Sequence, residues 1–220
     1  MSIEPRHRER GAMRMGCLVA AAAVVLLALI FGGLLVGRYN NLVGLDERAQ
    51  AAWSEVDNQY KRRFDLIPQL VATVQGAADF EKSTLEAVTE ARASVARVQL
   101  PAGAAVPTDP RQLEAYMQAQ QGLGAALSRL FAVVESYPEL KANQNFLSLQ
   151  DQLEGTENRI AVARRDYIES VRGYNAYRRR FPTNLVAGLF GFAPRAQPEI
   201  GEGEREVPKV DFDFGKGKSG

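Results

Sequence analysis

An uninterrupted apolar run near the N-terminus constrains this chain more than any other feature of its sequence. Residues 16–37 read GCLVAAAAVVLLALIFGGLLVG, which is 22 residues without a charged side chain. A helix of that length spans roughly 33 Å, about the hydrocarbon thickness of a bilayer. A cleaved signal peptide would have a shorter apolar region followed by a small-residue cleavage site, whereas Arg38-Tyr39-Asn40 follow here. The run therefore predicts an uncleaved, single-pass transmembrane anchor.

Arginines flank this anchor unevenly. Those before it lie in the charged tail of residues 1–15, and fewer lie in a similar span after it: Arg6, Arg8, Arg10 and Arg14, then Arg38 and Arg48. The positive-inside rule then favours a cytoplasmic N-terminus. Lys61-Arg62-Arg63 lie just beyond the counting window and reduce this asymmetry. We expect a protein of the cell membrane whose main domain lies outside the cytoplasm.

The scarcity of two residue types excludes several kinds of chemistry. The only cysteine is Cys17, inside the apolar run, and the only histidine is His7, in the charged tail. Clusters of His and Cys around a metal, and the usual general base or thiol nucleophile, are therefore ruled out. A net charge of +1 provides no field that would draw the chain onto nucleic acid. We predict a protein that is not an enzyme, with no cofactor, no metal, no small-molecule substrate and no nucleic-acid partner.

After the anchor, apolar residues recur at alternating steps of three and four. The longest stretch runs from Phe146 to Phe181, and others run from Tyr39 to Ile67, Phe80 to Val98 and Leu113 to Tyr137. This spacing is typical of the seam of a coiled coil or helical bundle. The predicted fold class is all-α, in which the transmembrane helix precedes an antiparallel up-and-down bundle of about four long helices over residues 38–181.

Proline and capping residues indicate where these helices begin and end. Asp109 is expected to cap a helix that starts at Pro110, and Asn143 is expected to cap the last one. Tyr137-Pro138 should end the helix before it, because the residue before a proline is pushed out of the α region.

The boundary between the first two helices is less sharply marked. Gly76 and a capping box at Ser83–Glu86 predict a turn near residues 76–82. Pro68 predicts a kink near residues 65–68.

Two segments follow the bundle. Residues 182–192 contain a short apolar helix that the topology returns to the membrane, where it either lies in the interface or caps the open end of the bundle. The composition of residues 193–220 predicts a disordered tail. Within that tail, alternating Val210, Phe212 and Phe214 can alternatively add a strand to a partner's sheet. The basic run Arg178–Arg180 either contacts anionic head groups or offsets a helix dipole.

The stretch YNNLVGLDERAQAAWSEVDNQYKRRFDLIPQLVATVQG, residues 39–76, closely resembles the LemA family. The similarity continues to Ala91-Arg92, resumes at Leu140 and includes LQDQLEGTENRI, residues 149–160. It extends over nearly everything after the anchor. One departure is Ala77-Ala78-Asp79, where such proteins more often carry an aromatic residue and a histidine. The resemblance implies an anchored antiparallel helical domain with no established enzymatic activity. One branch of the family looks connected to shaping or organising internal membranes.

Polar residues in or beside the seams are the candidate site residues: Asp46, Asp57, Arg62, Arg63, Asp65, Glu81, Arg92 and Tyr174. A charge that faces a bundle core is costly unless it is paired. We therefore expect Arg62 or Arg63 to pair with Asp57 or Asp65, and Arg92 to pair with Glu81. This polar set either contacts a partner or holds a switchable helix register. Alternatively, it simply fixes the register of similar helices. Glu154 and Glu157 are interpreted as a solvated helix face.

Together these features predict a membrane-anchored, non-enzymatic scaffold or interaction protein of the LemA type. Its expected partners are the lipid bilayer and either other membrane proteins or further copies of itself. Gly33 and Gly37 in the anchor have the spacing that lets two helices approach closely. The alternative is an envelope-state sensor or adaptor that regulates a partner membrane enzyme such as a protease.

Overall fold

The computed structural model describes residues 7–77, 80–98 and 106–198, with side chains described at residue 18 and from residue 21 onward. Every regular element in these ranges is a helix: α1 His7–Gln75, α2 Lys82–Arg97, α3 Pro110–Val134, α4 Pro138–Lys141, α5 Gln144–Arg178 and α6 Thr183–Leu189. The predicted all-α class is confirmed. The long helices α1, α2, α3 and α5 form the bundle, and α4 and α6 are short additions.

Helix α1 is 69 residues long and combines the apolar run with the first helix of the bundle. Its apolar part is the one stretch among the described residues that is long and apolar enough to cross a membrane. The most apolar 18 residues of this stretch contain no residue buried by the rest of the protein. The helix also continues through Pro68 and ends at Gln75. Ile67, Leu70 and Val74 are buried around that proline, so packing offsets the backbone hydrogen bond that the proline removes.

The long helices pack as two antiparallel pairs around one core. Helix α1 packs mainly on α5, and α2 packs mainly on α3. Along α1, Trp53 meets Tyr167 of α5 at a ring-centroid distance of 5.1 Å, while Arg63 meets Glu157 farther back along α5. The residue numbers rise on one helix as they fall on the other, which is the up-and-down arrangement that the heptad spacing predicts.

Two predicted helix caps are confirmed and one is wrong. The Asp109 carboxylate accepts a hydrogen bond from the Arg111 backbone N–H, and the Asn143 side chain accepts from the N–H groups of Asn145 and Phe146. Helix α2 instead begins at Lys82 with Glu81 in the cap position, so the Ser83 hydroxyl lies inside the first turn and donates to Glu81. The chain does turn between α1 and α2 in the expected segment.

The chain after α5 is more ordered than its composition indicates. Helix α6 packs Val186 and Ala187 against Leu42 and Tyr174. Residues 193–198, which we define as the strap, then run back along α5 instead of being disordered. The Tyr174 hydroxyl donates to the Ala193 carbonyl at 2.8 Å and the Tyr167 hydroxyl to the Ala196 carbonyl at 2.7 Å. The remainder of the expected tail, including Val210, Phe212 and Phe214, lies outside the described residues.

Candidate functional site

Arg63 is the one charged candidate site residue that lies deep in the bundle. It follows Val56 and Tyr60 on the buried face of α1 and is only 3% exposed. Its Nη1 donates to Glu157 Oε2 on α5 at 2.7 Å. Its Nη2 donates to the backbone oxygen and to Oε1 of Gln120 on α3, at 3.0 and 2.5 Å. A single guanidinium therefore joins three helices.

The groove beside Arg63 is open to solvent. It lies between α3 and α5 and has a volume of about 420 Å³, with Arg63 at its floor. Apolar and acidic side chains form its walls: Leu127, Phe131, Leu153, Glu154 and Glu157. Gly124 lines the groove next to the guanidinium, and a Cβ there would stand 3.7 Å from Nη1. The groove thus combines an apolar lining with a buried cation and the half-exposed Glu157 carboxylate.

Two tyrosines near Arg63 are held in the neutral form. Burial, together with the nearby Asp57 carboxylate, raises the pKa of Tyr116 to about 12. Burial also raises the pKa of Tyr60, whose hydroxyl lies 3.3 Å from the Met117 sulfur. The phenols at this site therefore stay neutral at neutral pH and contribute packing and dipoles.

The expected pairings of Arg62 or Arg63 with Asp57 or Asp65 do not form among the described residues. Arg62 and Asp65 are exposed, and Asp57 is half-buried. Arg63 and Asp65 are two residues apart, and side chains at that spacing point to different sides of a helix. Arg63 is therefore neutralised by α5 and not by its own helix. Arg62 and Asp65 instead line a shallow surface groove.

Arg92 and Glu81 do not pair either. Arg92 stacks over Phe64 of α1, with its guanidinium carbon 3.8 Å from the ring centroid, and its Nε lies 3.5 Å from the Phe64 carbonyl oxygen. Glu81 is exposed at the cap of α2. The two residues lie roughly 16 Å apart along the helix axis, which is too far for contact even though they share a face. Arg92 instead joins α2 to α1.

Sequence reasoning missed three partners. Glu157 is 58% exposed, as a solvated helix face predicts, yet it also neutralises Arg63. Gln120 interrupts the apolar seam of α3 at a buried position, and that interruption could have marked it. Arg195 in the strap makes a bidentate pair with Asp46, at 2.8 Å for both hydrogen bonds, and this pairing raises the pKa of Arg195.

Within the described part of the chain, no group of three or more His, Cys, Asp or Glu side chains is arranged to hold a metal ion. The charged contacts described above join helices to one another or to the strap. They are an Arg–Glu–Gln contact in the core and an Arg–Asp contact at the strap.

Comparison with known proteins places this arrangement in a family. The model of the LemA family matches residues 52–212, a range that contains Arg63, Gln120 and Glu157. The chain belongs to the LemA family. The family match and the long apolar N-terminal helix together indicate a LemA-type, membrane-associated protein.

Several curated relatives of this LemA-family chain have been found. Magnetosome protein MamQ 2 of Paramagnetospirillum magneticum is 28% identical over 204 residues, covering 86% of this chain and 73% of the relative. Magnetosome protein MamQ of Magnetospirillum gryphiswaldense is 28% identical over 202 residues, with the same coverage. Protein LemA of Metamycoplasma hominis is 28% identical over 158 residues, covering 72% of this chain and 67% of the relative.

Proposed function

We propose that this LemA-family protein is a non-enzymatic scaffold that presents a helical bundle at a fixed height above a membrane. The observation that carries the proposal is the continuity of α1, which runs without interruption from the apolar run into the bundle core. Because the same helix packs along α5, the bundle cannot swing freely on a linker. A partner that docks on the bundle is then held at a defined distance and orientation from the bilayer.

The proposed partners are the lipid bilayer and either other membrane proteins or further copies of this chain, with no nucleic acid and no small-molecule substrate. Gly33 and Gly37 support self-association, since a Cβ at either position would meet no atom within 4 Å and the face they share is open. The magnetosome relatives lend support to a role at a membrane through their similarity over most of both chains. The arginine asymmetry of the anchor favours a bundle outside the cytoplasm.

The scaffold proposal is tested by the mass of the full chain in mild detergent over a wide dilution series. A scaffold that assembles through its own chain is expected to stay oligomeric as it is diluted. Gly33→Ile combined with Gly37→Ile should reduce the oligomer if the anchor face contributes, whereas Gly44→Ala, outside the apolar run, is the matched control. A monomer under all conditions, with no co-purifying membrane protein, would contradict the proposal.

The groove beside Arg63 supports a second candidate function, that of an adaptor or envelope-state sensor for a partner membrane enzyme such as a protease. An open, partly apolar groove that ends on a buried cation suits a short segment of a partner. A photo-crosslinking residue at Ser128, on the groove wall, should then capture one partner stoichiometrically in cells. The same residue at Val162, which is 48% exposed on α5, is the control. Equal capture from both positions would contradict the adaptor function.

A further inference from the structure

Helix α6 has one face packed on the bundle and one face left open. Val186 and Ala187 are buried, whereas Phe181 is 80% exposed, Leu185 57% and Leu189 77%. Leu185 and Leu189 are four residues apart in α6, so they share one side of the helix. Phe181 precedes α6, and Phe190, at 58% exposure, follows it. We call these four residues, Phe181, Leu185, Leu189 and Phe190, the apolar rim.

The contacts of α6 with α1 determine its height relative to the anchor. The buried cluster beneath α6 contains Leu42 and is packed by Leu35, which lies inside the uncharged run of residues 16–37. The Tyr39 ring lies 4.9 Å from the Phe190 ring, centroid to centroid, and 5.6 Å from that of Phe192. Residues 35–42 of α1 lie within roughly 8 Å of the end of that run at residue 37. The apolar rim is therefore held at the level where α1 leaves the hydrocarbon.

Basic and amphipathic side chains border the rim. Arg179 and Arg180 immediately precede Phe181 and are exposed. The Arg178 Nε donates to the Phe192 carbonyl at 2.6 Å, and Arg38 Nη1 lies 3.5 Å from the Tyr177 hydroxyl. Arginine and tyrosine at the ends of an apolar surface are typical of the head-group level of a membrane. Cationic and amphipathic side chains of the kind found at the head-group level therefore lie next to the apolar rim.

We infer that the apolar rim inserts into the interfacial layer of the same bilayer that α1 spans. The protein would then stand on the membrane at two points, the anchor and the rim, which sets the tilt of the bundle. A bilayer is the occupant that these observations favour, because the rim is continuous with a transmembrane helix and lies at the boundary where lipid surrounds that helix. The inference goes beyond the scaffold proposal and is independent of which protein the bundle binds.

Spin-label accessibility in the full chain tests the inference. In a Cys17→Ser background, nitroxide labels are placed at Leu185→Cys and Leu189→Cys, and the protein is reconstituted in nanodiscs of phosphatidylcholine with phosphatidylglycerol. Collision with oxygen reports lipid, and collision with a water-soluble nickel chelate reports water. A label at Leu26→Cys in the anchor and one at Val162→Cys on α5 provide the two reference values. Far-UV circular dichroism checks that each labelled chain retains its helix content.

We expect the oxygen-to-nickel ratio at both rim positions to be severalfold above that at position 162 and below that at position 26. Equal values at the rim and at position 162 would mean a solvated rim and overturn the inference. Low collision with both reagents would mean that a protein covers the rim, and would also overturn it. As a second arm, a Phe181→Cys label should shift toward the water value when Leu185→Asp and Leu189→Asp are added. No shift in that arm would count against insertion.

Discussion

At the scale of single residues, the interior of the bundle contains a charge whose counter-ion is at the surface. Arg63 is nearly fully buried, while Glu157 is 58% exposed. The half-exposed carboxylate keeps part of its hydration, and the Gln120 side chain and backbone supply the guanidinium with neutral acceptors. This division lowers the desolvation cost that a fully buried ion pair would carry. The contact therefore fits a role in aligning α1, α3 and α5.

Neutralising Glu157 tests how much this contact contributes to stability. Glu157→Gln should lower the free energy of unfolding by about 1–2 kcal/mol, because Arg63 loses a charged acceptor and the partial exposure of Glu157 reduces the effect. Glu86→Gln is the matched control, since it breaks the exposed pair of Glu86 with Lys82. That control should change stability by less than about 0.5 kcal/mol. Equal effects of the two substitutions in denaturant titrations would contradict the structural account.

Variants at Arg63 and Glu81 separate the structural from the functional interpretation of the polar residues. If Arg63→Met and Glu81→Gln change partner capture while leaving the melting temperature unaltered, the residues act in binding. If they only lower the melting temperature, their role is to fix the helix register.

The buried tyrosines predict a loss of stability at alkaline pH. Burial raises the pKa of Tyr116 from 10.0 to about 12, and burial also raises the pKa values of Tyr60, Tyr167 and Tyr174. The unfolded chain releases these protons at lower pH than the folded chain does. The stabilisation is therefore complete below the unfolded pKa and is lost as pH rises through the folded one.

We expect the free energy of unfolding to fall as the pH rises from about 10 to about 12, measured by denaturant titration alongside the phenolate absorbance. Tyr116→Phe should make this fall shallower, because one of the buried phenols no longer titrates. An unchanged pH dependence in Tyr116→Phe would show that Tyr116 ionises freely in the folded chain.

At the scale of elements, both side-chain capping and packing determine the residue at which a helix begins. Asp109 and Asn143 each satisfy backbone N–H groups at the start of α3 and α5. Helix α2 begins one residue before Ser83 without a side-chain cap bond, and Thr84 and Leu85 are buried in its first turn. The capping box predicts a later start for α2. Burial of the first turn accounts for the earlier start.

Alanine substitutions compare how much the side chains at the starts of α2, α3 and α5 contribute to stability. Asp109→Ala and Asn143→Ala should each cost about 1 kcal/mol of stability, because a backbone donor loses its acceptor in each case. Ser83→Ala should change stability by less than about 0.5 kcal/mol, since its hydroxyl contacts only the exposed Glu81 side chain. Thermal unfolding of the three variants in the same detergent provides the comparison. A loss of stability in Ser83→Ala as large as that in Asp109→Ala would indicate that Ser83 caps α2 after all.

At the scale of the whole molecule, the strap closes the bundle near the membrane end. It joins α1 through the Asp46–Arg195 pair, α5 through Asn175, and the loop before α3 through the Ala196–Pro107 backbone hydrogen bond. Helix α6 lies where α1 leaves the apolar run, and the strap leads from there along α5 away from the anchor, from Tyr174 to Tyr167. The anchor, the open end of the bundle and the apolar rim therefore meet in one region.

The side of the membrane on which this region lies is a prediction that labelling can check. With Ser219→Cys, a membrane-impermeant maleimide should label intact cells, because the arginine asymmetry favours a bundle outside the cytoplasm. Cys17 is the control, since a thiol within the apolar run should not react. Labelling that appears only after the cells are opened would reverse the orientation and make a cytoplasmic, anionic leaflet the surface beside Arg178–Arg180.

The sequence by itself determined the anchor, the helical class, the caps at Asp109 and Asn143, and the family, because each depends on spacings of a few residues or on local motifs. Heptad spacing also shows which face of a helix is buried, and Arg63 lies on that face. It does not show which helix lies opposite, so the pairing of Arg63 with Glu157, 94 residues away, depended on tertiary packing. The same holds for Asp46 and Arg195, 149 residues apart. The position of the strap along α5 also depended on tertiary structure. Its Ala193 and Ala196 carbonyls accept hydrogen bonds from the hydroxyls of Tyr174 and Tyr167 on that helix.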